Sequence, residues 1–240
     1  MSRAVGKEAS GLRSMKSAHV PLVVLRCKLV LVGDAAVGKT ALSQVFHSGG
    51  ATFPKNYMMT VGAEFLTKQV PIPDTNAVVE LYIFDCAGQS IFNQLEMNAK
   101  YVSLFAWPFY SPRLYCPLPS SRTTPPPPLP THTLTHTPQY ENASAVMVVY
   151  DVTSAESLRS SSKWLMGVRS TRPSGPALIG CLVGNKSDLR DDTVSRAEVS
   201  RDEAARLAAD LGLASFEASA SANTDVEAPF AHIAKEFYKR

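Results

Sequence analysis

The sequence predicts an α/β fold, with a mostly parallel sheet and helices on both of its faces. The first observation is that short apolar runs, typical of buried parallel strands, alternate with helical segments. These runs span residues 29–32, 78–84, 145–150 and 177–183. The second observation is a glycine-containing loop directly after the first run, and the third is a pair of helix-capping patterns near the carboxyl end.

The two capping patterns mark expected helix starts. Ser200-x-x-Glu203 is a capping box, and it predicts a helix that ends at Gly212. Thr224-x-x-Glu227 predicts the start of a terminal helix. Pro229 would fall inside the first turns of that helix and remove one backbone hydrogen bond.

The loop after the first run has the pattern G-x-x-x-x-G-K-T, which is typical of phosphate binding. Its residues are Gly33, Asp34, Ala35, Ala36, Val37, Gly38, Lys39 and Thr40, and Ala41 continues into the helix. Backbone N–H groups of such a loop point at phosphate oxygens, and the helix N-terminus adds partial positive charge. Lys39 is expected to reach the β- and γ-phosphates, and the Thr40 hydroxyl to bind Mg²⁺. A plain strand–helix turn with a surface lysine is the alternative, which the flanking strand and helix disfavour.

The second apolar run delivers Asp85 to the carboxyl edge of the sheet, where ligands of open α/β sheets bind. A carboxylate there can hold Mg²⁺, usually through a water molecule. Gly88 lacks a side chain, so its amide can approach a γ-phosphate closely. Gln89 is placed to orient an attacking water molecule. The D-x-x-G-Q pattern alone is weak evidence for a nucleotide site, and its position after the second apolar run makes it informative.

The last apolar run is followed by Gly184 and then by Asn185-Lys186-Ser187-Asp188. The Asp188 carboxylate can accept hydrogen bonds from guanine N1–H and N2–H₂, a paired donor edge that adenine lacks. Lys186 can lay its aliphatic stem over the base plane. The ordered set of loops therefore predicts binding of GTP or GDP with Mg²⁺.

With these residues the chain resembles the Ras-superfamily small GTPases of the Rab type. The resemblance implies a P-loop small GTPase G-domain with a six-stranded sheet. Residues 60–65 resemble the Rab switch I run, which makes Thr60 the second Mg²⁺ hydroxyl and a catalytic residue with Lys39 and Gln89. Ser219 and Ala220 match the last base-contacting loop, and Phe53 matches a residue that stacks on or near the base.

Less specific runs favour the Rab-like branch that serves intraflagellar transport. They include Ser48-Gly49-Gly50 with Phe53 and Tyr57, residues 70–75, and residues 227–230. This resemblance implies a complex with a small β-sandwich subunit and the larger subunits of the intraflagellar transport complex B. It also implies a location in the cytoplasm and the cilium or flagellum, and an exchange factor and an activating protein that the sequence does not identify.

Three classes of function remain in competition. The leading interpretation is a switch that binds and slowly hydrolyses GTP, while the alternative is a G-domain adaptor with little hydrolysis. Ser90 and Ser221 replace residues common in Rabs and leave room for the adaptor. A vesicle Rab is disfavoured because the last cysteine is Cys181, so no direct lipid anchor is expected. The guanine pattern disfavours P-loop kinases and ATPases.

Composition bounds the partners and the compartment. A net charge of +3 over 240 residues, without a basic block interleaved with aromatics, argues against a nucleic-acid partner. The four cysteines form no C-x-x-C pair, which is typical of a reducing cytosol. The five histidines show no metal-ligand spacing.

The chain is expected to contain one domain that is interrupted once. We expect a disordered leader at 1–25 and a single G-domain formed by 26–101 and 140–240. Between them, residues 102–139 hold ten of the 17 prolines, a composition that cannot form a packed core. Because Val102-Ser103 can be encoded by a splice-donor sequence and Gln139 by an acceptor, we favour a retained in-frame intron over a functional linker.

Overall fold

The computed structural model describes residues 23–54, 56, 58–88, 138–172, 177–190 and 198–240. Gln89, Ser90 and Tyr57 lie outside the described residues, as do the expected leader up to residue 22 and the insert up to residue 137. The expectations placed on them stay predictions.

The described residues alternate between strands and helices in the predicted manner. The strands are β1 (Val23–Val32), β2 (Ala63–Pro71), β3 (Ala77–Cys86), β4 (Ala145–Asp151), β5 (Ile179–Asn185) and β6 (Ala214–Glu217). The helices are α1 (Lys39–Ser48), α2 (Ala155–Ser170), α3 (Arg201–Leu211) and α4 (Glu227–Tyr238). Two short 3₁₀ turns, Pro138–Tyr140 and Ser187–Arg190, complete the elements.

The strands form one six-stranded sheet in the order β2-β3-β1-β4-β5-β6. All neighbours are parallel except β2, which pairs antiparallel with β3. The parallel strands therefore end at one carboxyl edge, where the loops after β1, β3, β4 and β5 meet.

Each face of the sheet has its own apolar core, because the central strands are buried on both sides. One face is covered by α1 and α4, whose Phe46 and Phe230 rings stack with centroids 3.8 Å apart. The other face is covered by α2 and α3 through residues such as Leu165 and Ala204. The prediction of an α/β fold with helices on both faces is confirmed.

The described part of the chain begins and resumes at residues that differ from the boundaries predicted for the leader and the insert. β1 begins at Val23, inside the expected leader, because Val23 pairs with Ala77 at the start of β3. At the other boundary, Gln139 belongs to the 3₁₀ turn that ends at the buried Tyr140. The described residues therefore extend slightly into both segments.

The start of the terminal helix corrects a sequence prediction. Thr224 does not cap α4, because it exchanges two backbone hydrogen bonds with Ser219. The residue at the N-cap of α4 is Val226, which provides no side-chain cap. Pro229 consequently occupies the first turn, where its missing N–H would have had no partner within the helix, so it removes no backbone bond.

Candidate nucleotide-binding site

The phosphate loop (residues 33–40) connects the end of β1 to the start of α1. Lys39 is 6% exposed, and its Nζ donates to the carbonyl oxygens of Gly33 and Asp34, both at 2.8 Å. Burial lowers the pKa of Lys39, while the nearby Asp85 carboxylate opposes that change. The loop is thus wrapped around a buried amino group at the first turn of the helix.

Gly88 lies directly against the phosphate loop. A Cβ atom on Gly88 would lie 2.5 Å from the Ala35 nitrogen and 2.6 Å from the Asp34 carbonyl oxygen. Only glycine fits there without displacing the backbone of the loop. The structure therefore brings the end of the D-x-x-G pattern to the residues that are expected to hold phosphate.

A hydroxyl–carboxylate cluster joins three separate parts of the chain. Thr40 Oγ1 donates to Asp85 Oδ2 at 2.5 Å and lies 2.9 Å from Thr60 Oγ1. Asp85 is fully buried, and burial raises its pKa to about 6, against the lowering effect of the Thr40 hydrogen bond and of Lys39. The three residues predicted to bind Mg²⁺ thus lie together.

The chemistry of this cluster fits Mg²⁺. Asp85 Oδ1 is buried and has no hydrogen-bond partner, so it can accept a further interaction. Mg²⁺ is usually held by one or two carboxylates together with phosphate oxygens and water. Across the described ranges, no group of three or more His, Cys, Asp or Glu residues is arranged to hold a metal ion without such help.

Asn185 links the base loop (residues 185–188) to the phosphate loop. Its Nδ2 donates to the Val37 carbonyl oxygen at 2.9 Å, and its Oδ1 accepts from the Ala220 amide at 3.1 Å. A Cβ atom on Gly38 would lie 2.2 Å from Asn185 Nδ2, and Gly38 has a left-handed φ of 93°. One buried amide therefore fixes three loops relative to one another.

Asp188 and Ser219 come from two different loops and contact each other. Ser219 Oγ donates to Asp188 Oδ1 at 2.5 Å and accepts from the Ala222 amide at 3.0 Å. The turn that carries Asp188 is fixed further by Arg190, which donates to Glu217 Oε1 at 2.6 Å. The carboxylate that is expected to select guanine is therefore oriented before any base arrives.

Lys186 is held by a residue that the sequence analysis missed. Its Nζ lies 2.5 Å from Asp151 Oδ2, and Asp151 Oδ1 accepts from the Thr153 amide at 2.9 Å. Asp151 ends β4 at the same sheet edge as Asp85 and Asn185. That shared strand-end position was the signal that could have identified it.

Most predicted site residues meet at this one edge. The contacts given above link the phosphate loop to Thr60, Asp85, Gly88 and Asn185, and Asn185 to Ala220. Asp188 is linked to Ser219, and Lys186 to Asp151. Ala41 lies in the first turn of α1. Phe53 lies on the loop between α1 and β2 and is 45% exposed, which leaves its ring accessible.

A six-stranded sheet whose edge carries these loops defines a P-loop domain of the small-GTPase type. The Ras family profile matches residues 28–104 and 132–239, and the chain belongs to the Ras family. Members of this family are GTPases, so the predicted enzyme class is confirmed.

Individual relatives align along almost the whole chain. The intraflagellar transport protein 27 homolog of Homo sapiens is 39% identical over 218 residues, which are 91% of this chain and 93% of the relative. Intraflagellar transport protein 27 of Chlamydomonas reinhardtii is 33% identical over 90% of this chain and 85% of its own. The GTP-binding protein ypt5 of Schizosaccharomyces pombe is 32% identical over 90% and 79%, respectively.

Proposed function

We propose that this chain is a Rab-like small GTPase of intraflagellar transport, which binds and slowly hydrolyses GTP as a conformational switch. The observation that carries this proposal is the alignment of the chain over 91% of its length with the human intraflagellar transport protein 27 homolog. The loops of the site lie within the two ranges that the Ras family profile matches, which supports their assignment to nucleotide binding and switching.

Nucleotide binding follows from the contacts around the phosphate loop. Lys39 exchanges the Gly33 and Asp34 carbonyl oxygens for oxygens of the β- and γ-phosphates. Asp188 accepts from the guanine edge, while Ser219 occupies its other oxygen. Asn185 keeps the base loop and the phosphate loop at a fixed separation, so base and phosphates are recognised together.

Hydrolysis requires a positioned water molecule and a sensor for the γ-phosphate. Thr40, Thr60 and Asp85 would hold Mg²⁺, and the ion would supply positive charge that stabilises the charge on the phosphates. Gln89 orients water for attack on the γ-phosphorus, the bond to the β–γ bridging oxygen breaks, and GDP and phosphate leave. Thr60 and Gly88 then lose their γ-phosphate contacts, which releases both switch loops.

The partners follow from the relatives. The intraflagellar transport names of those relatives support association of this chain with the intraflagellar transport machinery and a location in the cilium or flagellum. The resemblance of its sequence to the Rab-like transport branch extends this proposal to a small β-sandwich subunit, to larger subunits of the intraflagellar transport complex B and to the cytoplasm. An exchange factor and an activating protein would set the nucleotide state.

The test is affinity purification of the tagged chain from ciliated cells in two nucleotide states. Gln89→Leu should accumulate GTP, and Thr40→Asn should favour GDP or the empty state because the Mg²⁺ hydroxyl is lost. We expect complex B subunits with the wild-type chain and with the control Asp210→Asn, and additional partners only with Gln89→Leu. Recovery of no transport subunits from any variant would contradict the proposal.

The adaptor alternative predicts a different result from the same variants. Ser221 is exposed on the loop that carries Ser219 and Ala220, at a position where a lysine is common in Rabs, and this departure favours weaker base contacts. A pure adaptor would co-purify with the same partners in both nucleotide states. It would also hydrolyse GTP at a rate that Gln89→Leu leaves unchanged.

A further inference from the structure

A tryptophan outside all of the nucleotide motifs contacts the phosphate loop. Trp164 lies on α2, and its indole Nε1 donates to Asp34 Oδ1 at 2.7 Å. Both residues are half-buried. An indole N–H can only donate and a carboxylate is a strong acceptor, so this is a charge-assisted hydrogen bond.

The donor in this contact is held rigidly. Leu158, Leu165 and Val168 on α2 are buried in the core that covers one face of the sheet, and Trp164 packs against the same core. The indole therefore belongs to the fixed frame of the domain. Asp34 belongs to a loop that must accept a ligand.

The Asp34 peptide lies where two phosphate-sensing contacts meet. Its carbonyl oxygen accepts from Lys39 Nζ at 2.8 Å, and a Cβ on Gly88 would lie 2.6 Å from the same oxygen. A rotation of this peptide would therefore displace both Lys39 and the loop that contains Gly88.

The Asp34 side chain also presents an electrostatic difficulty. Asp34 occupies an unrestricted position of the G-x-x-x-x-G-K-T pattern, where phosphate binding uses the backbone alone. A carboxylate there repels phosphate unless its charge is held elsewhere. The hydrogen bond to Trp164 directs one oxygen of this carboxylate toward α2.

We propose that Trp164 is a positioning residue that holds the phosphate loop in its nucleotide-gripping orientation through Asp34. This inference rests on the proposed function, since it assigns a role within the GTP site. Trp164 touches neither the nucleotide nor the reacting atoms in this role. Its effect is transmitted through the Asp34 side chain, so it disappears when that side chain is removed.

The test uses the full chain with Trp107→Phe, which leaves Trp164 as the sole tryptophan. The measured quantity is the release rate of N-methylanthraniloyl-GDP, excited directly, in the presence of excess GDP. Trp164→Phe should speed release about tenfold, the change that one charge-assisted hydrogen bond represents. In an Asp34→Ala background, Trp164→Phe should not change the release rate further. Asp34→Asn keeps an acceptor, so in that background Trp164→Phe should still speed release.

Met166→Ala is the matched control on α2, because Met166 is 60% exposed, and it should leave the release rate unchanged. A second measurement follows the indole ¹H–¹⁵N resonance of Trp164, which should shift in Asp34→Ala and not in Met166→Ala. This readout decides the case even if Trp164→Phe does not fold.

Two results would overturn the inference. One is an equal effect of Trp164→Phe with and without the Asp34 side chain, including no effect in either background. The other is an indole resonance that Asp34→Ala leaves in place. A wild-type chain that binds no guanine nucleotide would overturn the proposed function as well. Normal nucleotide binding, together with a Trp164→Phe effect that does not depend on the Asp34 side chain, would overturn the inference alone.

Discussion

At the scale of single residues, base selection depends on one carboxylate. Asp188 is exposed, and its Oδ1 is already engaged by the Ser219 hydroxyl at 2.5 Å. A guanine edge would donate to Oδ2 and to the remaining lone pair of Oδ1. The carboxylate is matched to two donors of the base, and an amide in its place presents one acceptor and one donor group.

Asp188→Asn should therefore shift the preference from guanine toward xanthine nucleotides. The loss of a charged hydrogen bond predicts a decrease in GDP affinity of roughly 10- to 100-fold. Competition of GTP and xanthosine triphosphate against labelled GDP measures the shift. Asp210→Asn, an exposed substitution on α3, should retain the wild-type preference, and unchanged GDP affinity in Asp188→Asn would remove Asp188 from the base site.

Local patterns predicted the site residues that end strands, since a buried strand delivers its last side chain to a known edge. Asp85 and Asn185 were found in this way. The hydrogen bond between Trp164 and Asp34 joins residues 130 positions apart, so no local pattern encodes it. The only signal was that a tryptophan packed on a helix face needs a partner for its N–H group.

At the scale of elements, α3 shows how a local capping pattern fixes a helix. Ser200 Oγ accepts from the Glu203 amide at 3.1 Å, and Gly212 closes the helix in the left-handed conformation. Both ends were predicted from sequence. The start of α4 was not, because the backbone pairing of Thr224 with Ser219 removed the capping residue that the pattern required.

Ser200→Ala should destabilise the domain by about 1 kcal/mol, because one amide of the first turn loses its acceptor. This corresponds to a fall of roughly 2–4 °C in the unfolding midpoint for a domain of this size. Calorimetry at saturating GDP is the appropriate measurement, since ligand binding itself shifts the midpoint. Ser200→Asp keeps an acceptor and should unfold near the wild-type temperature, and equal loss in both variants would contradict the capping role.

At the scale of the whole molecule, the two cores enclose the three cysteines that the structure describes. Cys27, Cys86 and Cys181 are buried free thiols. Burial raises the pKa of Cys27 and of Cys86 to about 12, and burial also raises the pKa of Cys181. At pH 8 these groups are neutral thiols, which are poor nucleophiles.

A thiol-titration experiment tests this packing. With a disulfide reagent at pH 8, the native chain should show at most one fast thiol, from Cys116, which lies outside the described residues. Cys116→Ser should abolish the fast phase, and unfolding should expose all four cysteines of the wild type. Two or more fast thiols in the native state would be incompatible with the packing of the sheet.

No helix in the described part of the chain has the length and apolar character needed to cross a membrane.

Hydrogen bonds fix the chain to β1 immediately after the proline-rich insert. Lys28 Nζ donates to the Glu141 carbonyl oxygen at 2.6 Å, and the Ser144 amide donates to the Lys28 carbonyl oxygen at 2.8 Å. These contacts between the start of the β4 segment and β1 use residues outside 102–139.

We propose that the codons for 102–139 are a retained intron and that most transcripts lack them. Reverse transcription across Tyr101 and Tyr140 should then give a main product 114 nucleotides shorter than the genomic segment, three for each of 38 residues. A chain without these residues should bind GDP as the full chain does. Detection of full-length product alone would make the insert a genuine linker.

The central claim is that the edge formed by the phosphate loop, Asp85 and the base loop is a guanine-specific GTPase site. Single-turnover hydrolysis of γ-labelled GTP and ATP, with and without Mg²⁺, tests it most directly. We predict Mg²⁺-dependent phosphate release from GTP at a rate on the order of 10⁻⁴ s⁻¹, as in isolated Ras, and none above background from ATP. Gln89→Leu should slow release by up to roughly 100-fold, the cost of a misplaced reactant, while GTP binding persists. Equal turnover of ATP and GTP, or a rate that neither Mg²⁺ removal nor Gln89→Leu changes, would contradict the account.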